Sequence, residues 1–248
     1  MSDQGKERQR QQWYAKQTGQ MLLAAERQAA QHLLRDSLGF RLLQLDAGAQ
    51  YPLWLEQGSG CHCLLSLLPS RCHCPQIQAR SDSLPFQSKS LDVIIMHHSL
   101  DFSADAYASL REASRCLTDS GTLLIFGFNP GIWSLLRQVP PLAPVLSDAR
   151  FFSPHRVVDW LSLLDLQLES LDWLHPKCCH WFGRQAREPS FVSRKLGHFL
   201  PWLNASYVIK ARKRTMARVS NSLLSPLPLG IARPQLNRDS LKVESCDK

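Results

Sequence analysis

Leu91-Asp-Val-Ile-Ile-Met96 and Thr122-Leu-Leu-Ile-Phe126 decide the fold. Each is a short, continuous apolar run rich in β-branched residues, the signature of a strand covered on both faces in a parallel sheet. The residues between them read as one helix. Ser103 is placed to cap it, Asp105 suits its positive N-terminal end, and Tyr107, Leu110, Ser114 and Leu117 trace an inner face. Asp119-Ser-Gly121 then reads as the closing turn. Strand, helix and strand in this order form a βαβ unit.

The same alternation extends in both directions. Upstream, Arg41-Leu-Leu-Gln-Leu45 is a short strand, Asp46-Ala-Gly48-Ala-Gln50 a turn, and Leu53, Trp54 and Leu55 begin a short helix. Further strands are expected at Cys63–Leu68 and near Ile77. An amphipathic helix over Trp13–Leu38, with Leu22, Ala25, Ala29 and Leu33 at helical spacing, precedes them all. Downstream, Pro140, Pro141 and Pro144 mark a loop. Ser153-Pro154 starts a helix with Val157, Leu161 and Leu164 on its buried face. Two last strands are expected at 167–173 and 205–210. Between them, residues 174–203 carry Trp181, Phe182, Phe191, Phe199 and Trp202, too aromatic for a free linker, which predicts an ordered insertion.

The pattern predicts a doubly wound, mostly parallel Rossmann-like α/β sheet. An N-terminal helical segment (1–38) precedes the main domain (39–213), and a basic tail (214–248) follows it. Ligands of such sheets bind outside the carboxyl ends of the strands, where the strand order switches. That rule selects Asp46 to Gln50, Ser66 to Ser70, Asp82, and His97 to Asp101.

Composition narrows the function. The net charge of +8 is concentrated at the end: from Lys210 onward there are nine Lys or Arg and three Asp or Glu. Such a tail can meet nucleic acid, or simply be a solvated terminus. No apolar run reaches the roughly 18 residues that span a bilayer, and Met1 to Arg10 is polar and leads into no apolar stretch, so a cytoplasmic protein without a membrane role is expected. Eight cysteines in such a compartment are expected as free thiols. Cys61-His62-Cys63 and Cys72-His73-Cys74 offer zinc-type donors, but not at the usual Cys-x-x-Cys spacing, and they read equally as small core residues; no metal is assigned.

From Leu84 to Phe126 the chain resembles the class I S-adenosylmethionine-dependent methyltransferases. The resemblance is carried by Leu84-Pro85-Phe86, Ser90-Leu91-Asp92-Val93-Ile94, His98-Ser-Leu100-Asp101, Leu110-Arg-Glu112, Arg115-Cys-Leu117 and Gly121-Thr-Leu123. More loosely it runs over residues 13–213, and it is similar there to bacterial methyltransferase-like proteins sharing Phe128-Asn129-Pro130. The resemblance implies S-adenosylmethionine as cofactor and an acceptor that is a small molecule or RNA; it leaves the oligomeric state open. It implies Asp46 and Gly48 in the cofactor loop, Asp82 and Ser83 near the adenine, and His97 beside the methyl-transfer site, with Ser66, Ser70 or His73 as the groups that could meet the ribose hydroxyls. His98 is the candidate base, oriented by Asp101.

Two positions depart from the family pattern. Gln50 stands where the loop has its second glycine, and Gln57–Ser81 contains no Asp or Glu to hold the ribose hydroxyls. Those departures keep a second reading open, a methyltransferase fold that binds partners through its basic tail and aromatic insertion without catalysis.

Overall fold

The computed structural model describes residues 3–35, 41–49, 51–53, 61–65, 76–136, 145–174 and 204–213. Among the described residues seven strands form one sheet: β1 (Arg41–Asp46), β2 (Cys61–Leu65), β3 (Gln76–Ile77), β4 (Leu91–His97), β5 (Leu117–Phe128), β6 (Leu166–Leu174) and β7 (Ser206–Lys213). Their spatial order is β3-β2-β1-β4-β5-β7-β6. The first five are parallel to one another, while β7 runs antiparallel to both β5 and β6. The order reverses between β1 and β4, and the register there sets Asp46 opposite His97, and His97 opposite Phe126.

The helices are α1 (Asp3–Tyr14), α2 (Gln17–Leu34), α3 (Ser99–Phe102), α4 (Ala106–Cys116), α5 (Pro130–Leu136) and α6 (Pro154–Leu163). Alternate strand residues face opposite sides of the sheet, and the two sides form two cores. Leu42, Val93, Ile95, Leu124 and Phe126 pack with Trp13, Leu22, Leu23 and Trp133 from α1, α2 and α5. Leu43, Ile94, Met96, Leu123 and Ile125 pack with Leu110, Ala113, Val157 and Leu161 from α4 and α6.

Strands form on the predicted apolar runs, although β2 begins two residues before the expected Cys63 and residues 66–68 lie outside the described residues; three helical details also differ. The single helix expected over Trp13–Leu38 is two: the chain turns at Ala15-Lys16, with Lys16 in extended backbone (φ −79°, ψ 161°). Gly19 makes that turn tight, since a Cβ there would stand 2.5 Å from Trp13 O and Tyr14 Cα. The buried stripe of α2 is Leu22, Leu23, Glu26, Ala30 and Leu34 rather than the expected Leu22, Ala25, Ala29 and Leu33. Asp105, not Ser103, caps α4, accepting from Ala108 N at 2.9 Å, while Ser103 Oγ donates to Asp105 O.

Asp119-Ser-Gly121 does not end a helix but lies within β5. The pairing jumps from Leu91–Leu117 to Val93–Thr122, so the extra residues bulge out of the ladder. Ser153 does cap α6, accepting from Arg156 N at 3.4 Å with Pro154 in the first turn. The expected insertion at 174–203 and the tail at 214–248 fall outside the described residues, apart from Leu174, which ends β6.

The family-like stretch has a mechanical use. Arg115 donates to Leu84 O at 3.2 Å, to Phe86 O at 3.0 Å and to Glu112 at 2.9 Å, clamping the Leu84–Phe86 loop onto α4. Lys213 Nζ donates to Ser114 O at 2.6 Å and Leu117 O at 3.4 Å, satisfying carbonyls at the end of α4.

Gly19→Ala is expected to lower stability by about 1–3 kcal/mol in urea unfolding, because the added methyl meets backbone that cannot swing aside. Unchanged stability would show that the α1–α2 turn tolerates widening.

Candidate functional site

Five charged or titratable side chains meet at the carboxyl ends of β1 and β4, beneath α2. Glu26, from the buried stripe of α2, puts Oε2 at 2.9 Å from His97 Nε2 and Oε1 at 2.9 Å from His98 Nε2. On the far side of each ring stands another carboxylate: Asp46 Oδ1 is 2.8 Å from His97 Nδ1, and Asp101 Oδ2 is 3.1 Å from His98 Nδ1. The outer carboxylates are tied to the backbone in turn. Gly48 N donates to Asp46 Oδ2 at 3.0 Å, and Phe128 N donates to Asp101 Oδ2 at 3.0 Å. All five side chains are at most 1% exposed.

Local backbone explains the placement. β4 runs one residue past the predicted Met96, so His97 still occupies a strand position opposite Asp46. His98 then takes a left-handed conformation (φ 52°, ψ 12°), which is costly for a residue with a Cβ and starts the α3 turn that brings Asp101 back to it. Its ring stacks on Phe128, centroids 3.8 Å apart and planes 19° apart. Tyr14, at the end of α1, packs beside His97 with ring centroids 5.8 Å apart, and its buried phenol oxygen has no hydrogen-bond partner.

The proton count of this chain of groups is unusual. With all three carboxylates ionised, the four histidine-to-carboxylate contacts need four N–H donors, and two imidazoles supply four only when both are charged. Burial opposes charge on His97, yet its hydrogen bonds to Asp46 and Glu26 outweigh that and raise its pKa to about 9. Burial likewise opposes charge on His98, and is outweighed by the Glu26 charge and the bond to Asp101, so its pKa also rises. Burial pushes Glu26 up, but the charge on His98 and the bonds from both rings hold it down at about 2. Asp101 moves up, because burial exceeds what His98 and Phe128 N return. Glu26, His97 and His98 also offer three metal-ligand atoms within 4.8 Å of one another.

Beside this buried chain lies an open cleft of about 350 Å³. Its walls include Asp46 at the end of β1 and Ala47 after it, Ser81 and Asp82 after β3, Phe102 from α3, and Arg10 from α1. Arg10 Nε donates to Ala47 O at 2.6 Å, its Nη1 reaches Asp148 Oδ2 at 3.3 Å, and its guanidinium lies 4.4 Å from the Phe102 ring centre. Gly48, at φ 128°, has the backbone of a glycine position, and a Cβ there would meet Arg10 Cβ at 2.9 Å.

The predicted residues therefore divide. Asp46 and Asp82 line the cleft; the Asp46 carboxylate turns inward to His97, and Asp82 is held by Arg80 at 2.7 Å. Gly48 and Ser83 are next to lining residues without being in the wall. His97, His98 and Asp101 lie outside that wall, with both ring nitrogens of each histidine already engaged. Asp101 does orient His98, as its spacing suggests. Ser66, Gln50, Cys72, His73 and Cys74 lie outside the described residues.

Glu26, Tyr14 and Arg10 were not selected from the sequence. A signal for Glu26 was present: it sits in phase with Leu22, Ala30 and Leu34, four residues apart on one helix face.

Glu26→Ala should destabilise the protein by roughly 3–5 kcal/mol in denaturant melts, because two buried imidazoles lose the carboxylate between them. For chelator-treated protein, the stability-versus-pH curve should peak between about 4.5 and 6.5. A raised His97 pKa stabilises fully below 6.5, and that gain is lost as pH climbs through about 9. A depressed Glu26 pKa stabilises fully above 4.5, and that gain is lost as pH falls through about 2. A flat melting temperature from pH 5 to pH 9 would contradict charged rings in the cluster.

Comparison with known proteins places these features in a family. The family described as "Methyltransferase domain" matches residues 64–125. The chain is 32% identical over 175 residues to the Uncharacterized protein YafS of Escherichia coli (strain K12), covering 70% of this chain and 68% of that protein. Among solved structures it is similar to a chain of the Haloferax volcanii complex that contains the Trm112 methyltransferase activator. That match has a TM-score of 0.61 at 14% identity and covers 83% of this chain and 98% of that one. A Thermotoga maritima protein described as an S-adenosylmethionine-dependent methyltransferase, possible histamine N-methyltransferase, matches with a TM-score of 0.57 at 18% identity. The match covers 82% of this chain and 94% of that one. The strand order, the cleft at its switch point and these likenesses agree: the chain belongs to the class I S-adenosylmethionine-dependent methyltransferase superfamily.

Proposed function

We propose that the chain is an S-adenosylmethionine-dependent methyltransferase whose cofactor binds in the cleft between α1 and the carboxyl ends of β1 and β4. The observation that carries this reading is the position of that cleft. It lies at the reversal of strand order, with Asp46–Ala47 on one wall and Ser81–Asp82 on another.

The residues present fit the cofactor. The walls carry Lys6, Arg10, Arg80 and Arg150 alongside Glu7, Asp82 and Asp148, a mixed set suited to a ligand with a carboxylate, an ammonium and a sulfonium. Asp82 and Ser81 would hold the adenine edge, with Asp82 exchanging its exposed pairing to Arg80 for the ligand. Arg10 would hold the carboxylate, and Phe102 offers an apolar wall. When bound, the cofactor supplies an electrophilic methyl on its sulfonium.

The chain's own contribution is positioning and the exclusion of water. Among the described residues the cleft wall holds no histidine, so no imidazole base stands free beside it. The acceptor would be a small molecule or RNA. The cluster beneath serves to fix Asp46, and through it the cofactor loop.

One observation favours a second reading, a fold that binds without catalysis. Arg10 packs on Gly48 and bonds Ala47 O, covering the backbone that a methyltransferase leaves open for its cofactor. Calorimetric titration with S-adenosylmethionine and S-adenosylhomocysteine separates the two. Heat of binding is expected for both, and silence at millimolar ligand sinks the enzyme reading. Asp82→Ala should weaken binding by about 1–3 kcal/mol, roughly 5- to 150-fold in Kd. Equal affinity would remove Asp82 from the adenine site.

A further inference from the structure

The geometry points to a divalent transition-metal site built from Glu26, His97 and His98, in which a zinc-class ion would join α2 to the end of β4. The three donors converge, and each ring presents Nε2 to the Glu26 carboxylate at 2.9 Å. Two imidazoles and one carboxylate make a recurrent donor set for first-row divalent ions.

The surroundings are those of a metal centre as well. Metal-bound histidines nearly always donate their second nitrogen to a carboxylate or carbonyl, which fixes the tautomer and aims the lone pair at the ion. Here His97 Nδ1 meets Asp46 and His98 Nδ1 meets Asp101, at 2.8 and 3.1 Å. With both protons on Nδ1, both Nε2 lone pairs face Glu26. The hydrogen-bonded alternative must hold two protons there in a fully buried space. A dication takes the place of those two protons at the same total charge, the protons leaving to solvent.

Two further observations bear on the same spot. His98 is held at φ 52°, a strained conformation that turns its ring back toward Glu26. The buried Tyr14 phenol, packed beside His97, has an oxygen without a hydrogen-bond partner next to this cluster.

Cobalt(II) is the probe. The full chain, stripped with chelator, is titrated with Co²⁺ and read by visible absorption, with metal content measured on the protein as purified. One ion per chain with weak visible bands, and no thiolate charge-transfer band in the near ultraviolet, is expected. Glu26→Gln should abolish uptake, and Asp101→Asn should weaken it about 10- to 100-fold by loosening His98.

An absence of uptake by folded wild-type protein overturns the site. So does a thiolate band, which would move the ion to the cysteines, or a Glu26→Gln protein that binds Co²⁺ as wild type does. Should Glu26→Gln fail to fold by circular dichroism, the wild-type spectrum and the Asp101→Asn affinity decide. None of these readings involves S-adenosylmethionine, so their failure leaves the proposed function standing.

Discussion

Among the described residues, Glu26 ties the two ends of the site's supporting structure together. It belongs to α2, yet both of its oxygens are bound to residues at the end of β4. Sheet packing alone would let the N-terminal helices slide along an apolar face, since hydrophobic contact is not directional. A buried carboxylate between two imidazoles removes that freedom, because any displacement strands a charge away from water. The position of α2 sets that of α1 through the tight turn at Gly19, and α1 carries Arg10 to the cleft. From the other direction, His97 fixes Asp46, and Asp46 fixes Gly48 N. The cleft is thus shaped from both sides by one buried chain of charge.

The strands were legible because their signal is local. A run such as Val93-Ile-Ile-Met96 has no other stable use than the middle of a sheet, and the cap at Ser153-Pro154 depends only on its neighbours. The N-terminal helices were legible only in part. Glu7, Arg10 and Glu26 look like solvent-facing residues, and the apolar positions between them suggest a stripe centred on Ala25 and Ala29. They are buried because their partners lie far along the chain: Asp148 for Arg10, and His97 and His98 for Glu26. No window of the sequence contains both halves of such a pair. The His98–Asp101 contact was legible for the opposite reason, since its members are three residues apart.

The same contrast explains how the family motif reads. Much of what makes Leu84 to Phe126 recognisable is scaffold: Arg115 and Glu112 clamp the Leu84–Phe86 loop, and Leu110 and Leu117 fill the core beneath β4 and β5. Side chains that meet the cleft come from scattered loops and from α1, where spacing constrains little. Asp46 is the residue common to both descriptions, with its backbone in the cleft wall and its carboxylate in the buried chain.

Strand β7 lies between β5 and β6 but follows both in the chain. During synthesis the edges of β5 and β6 therefore emerge first and wait, each with a row of unpaired N–H and C=O groups, until Ser206–Lys213 is made. Such edges are templates for pairing with other chains. A ribosome stalled before Ser206, or a protease cutting ahead of it, would release a product with two sticky edges where the finished protein has one closed seam. Among the described residues β7 is the last strand to be translated, and it is the one that joins β6 to the rest of the sheet.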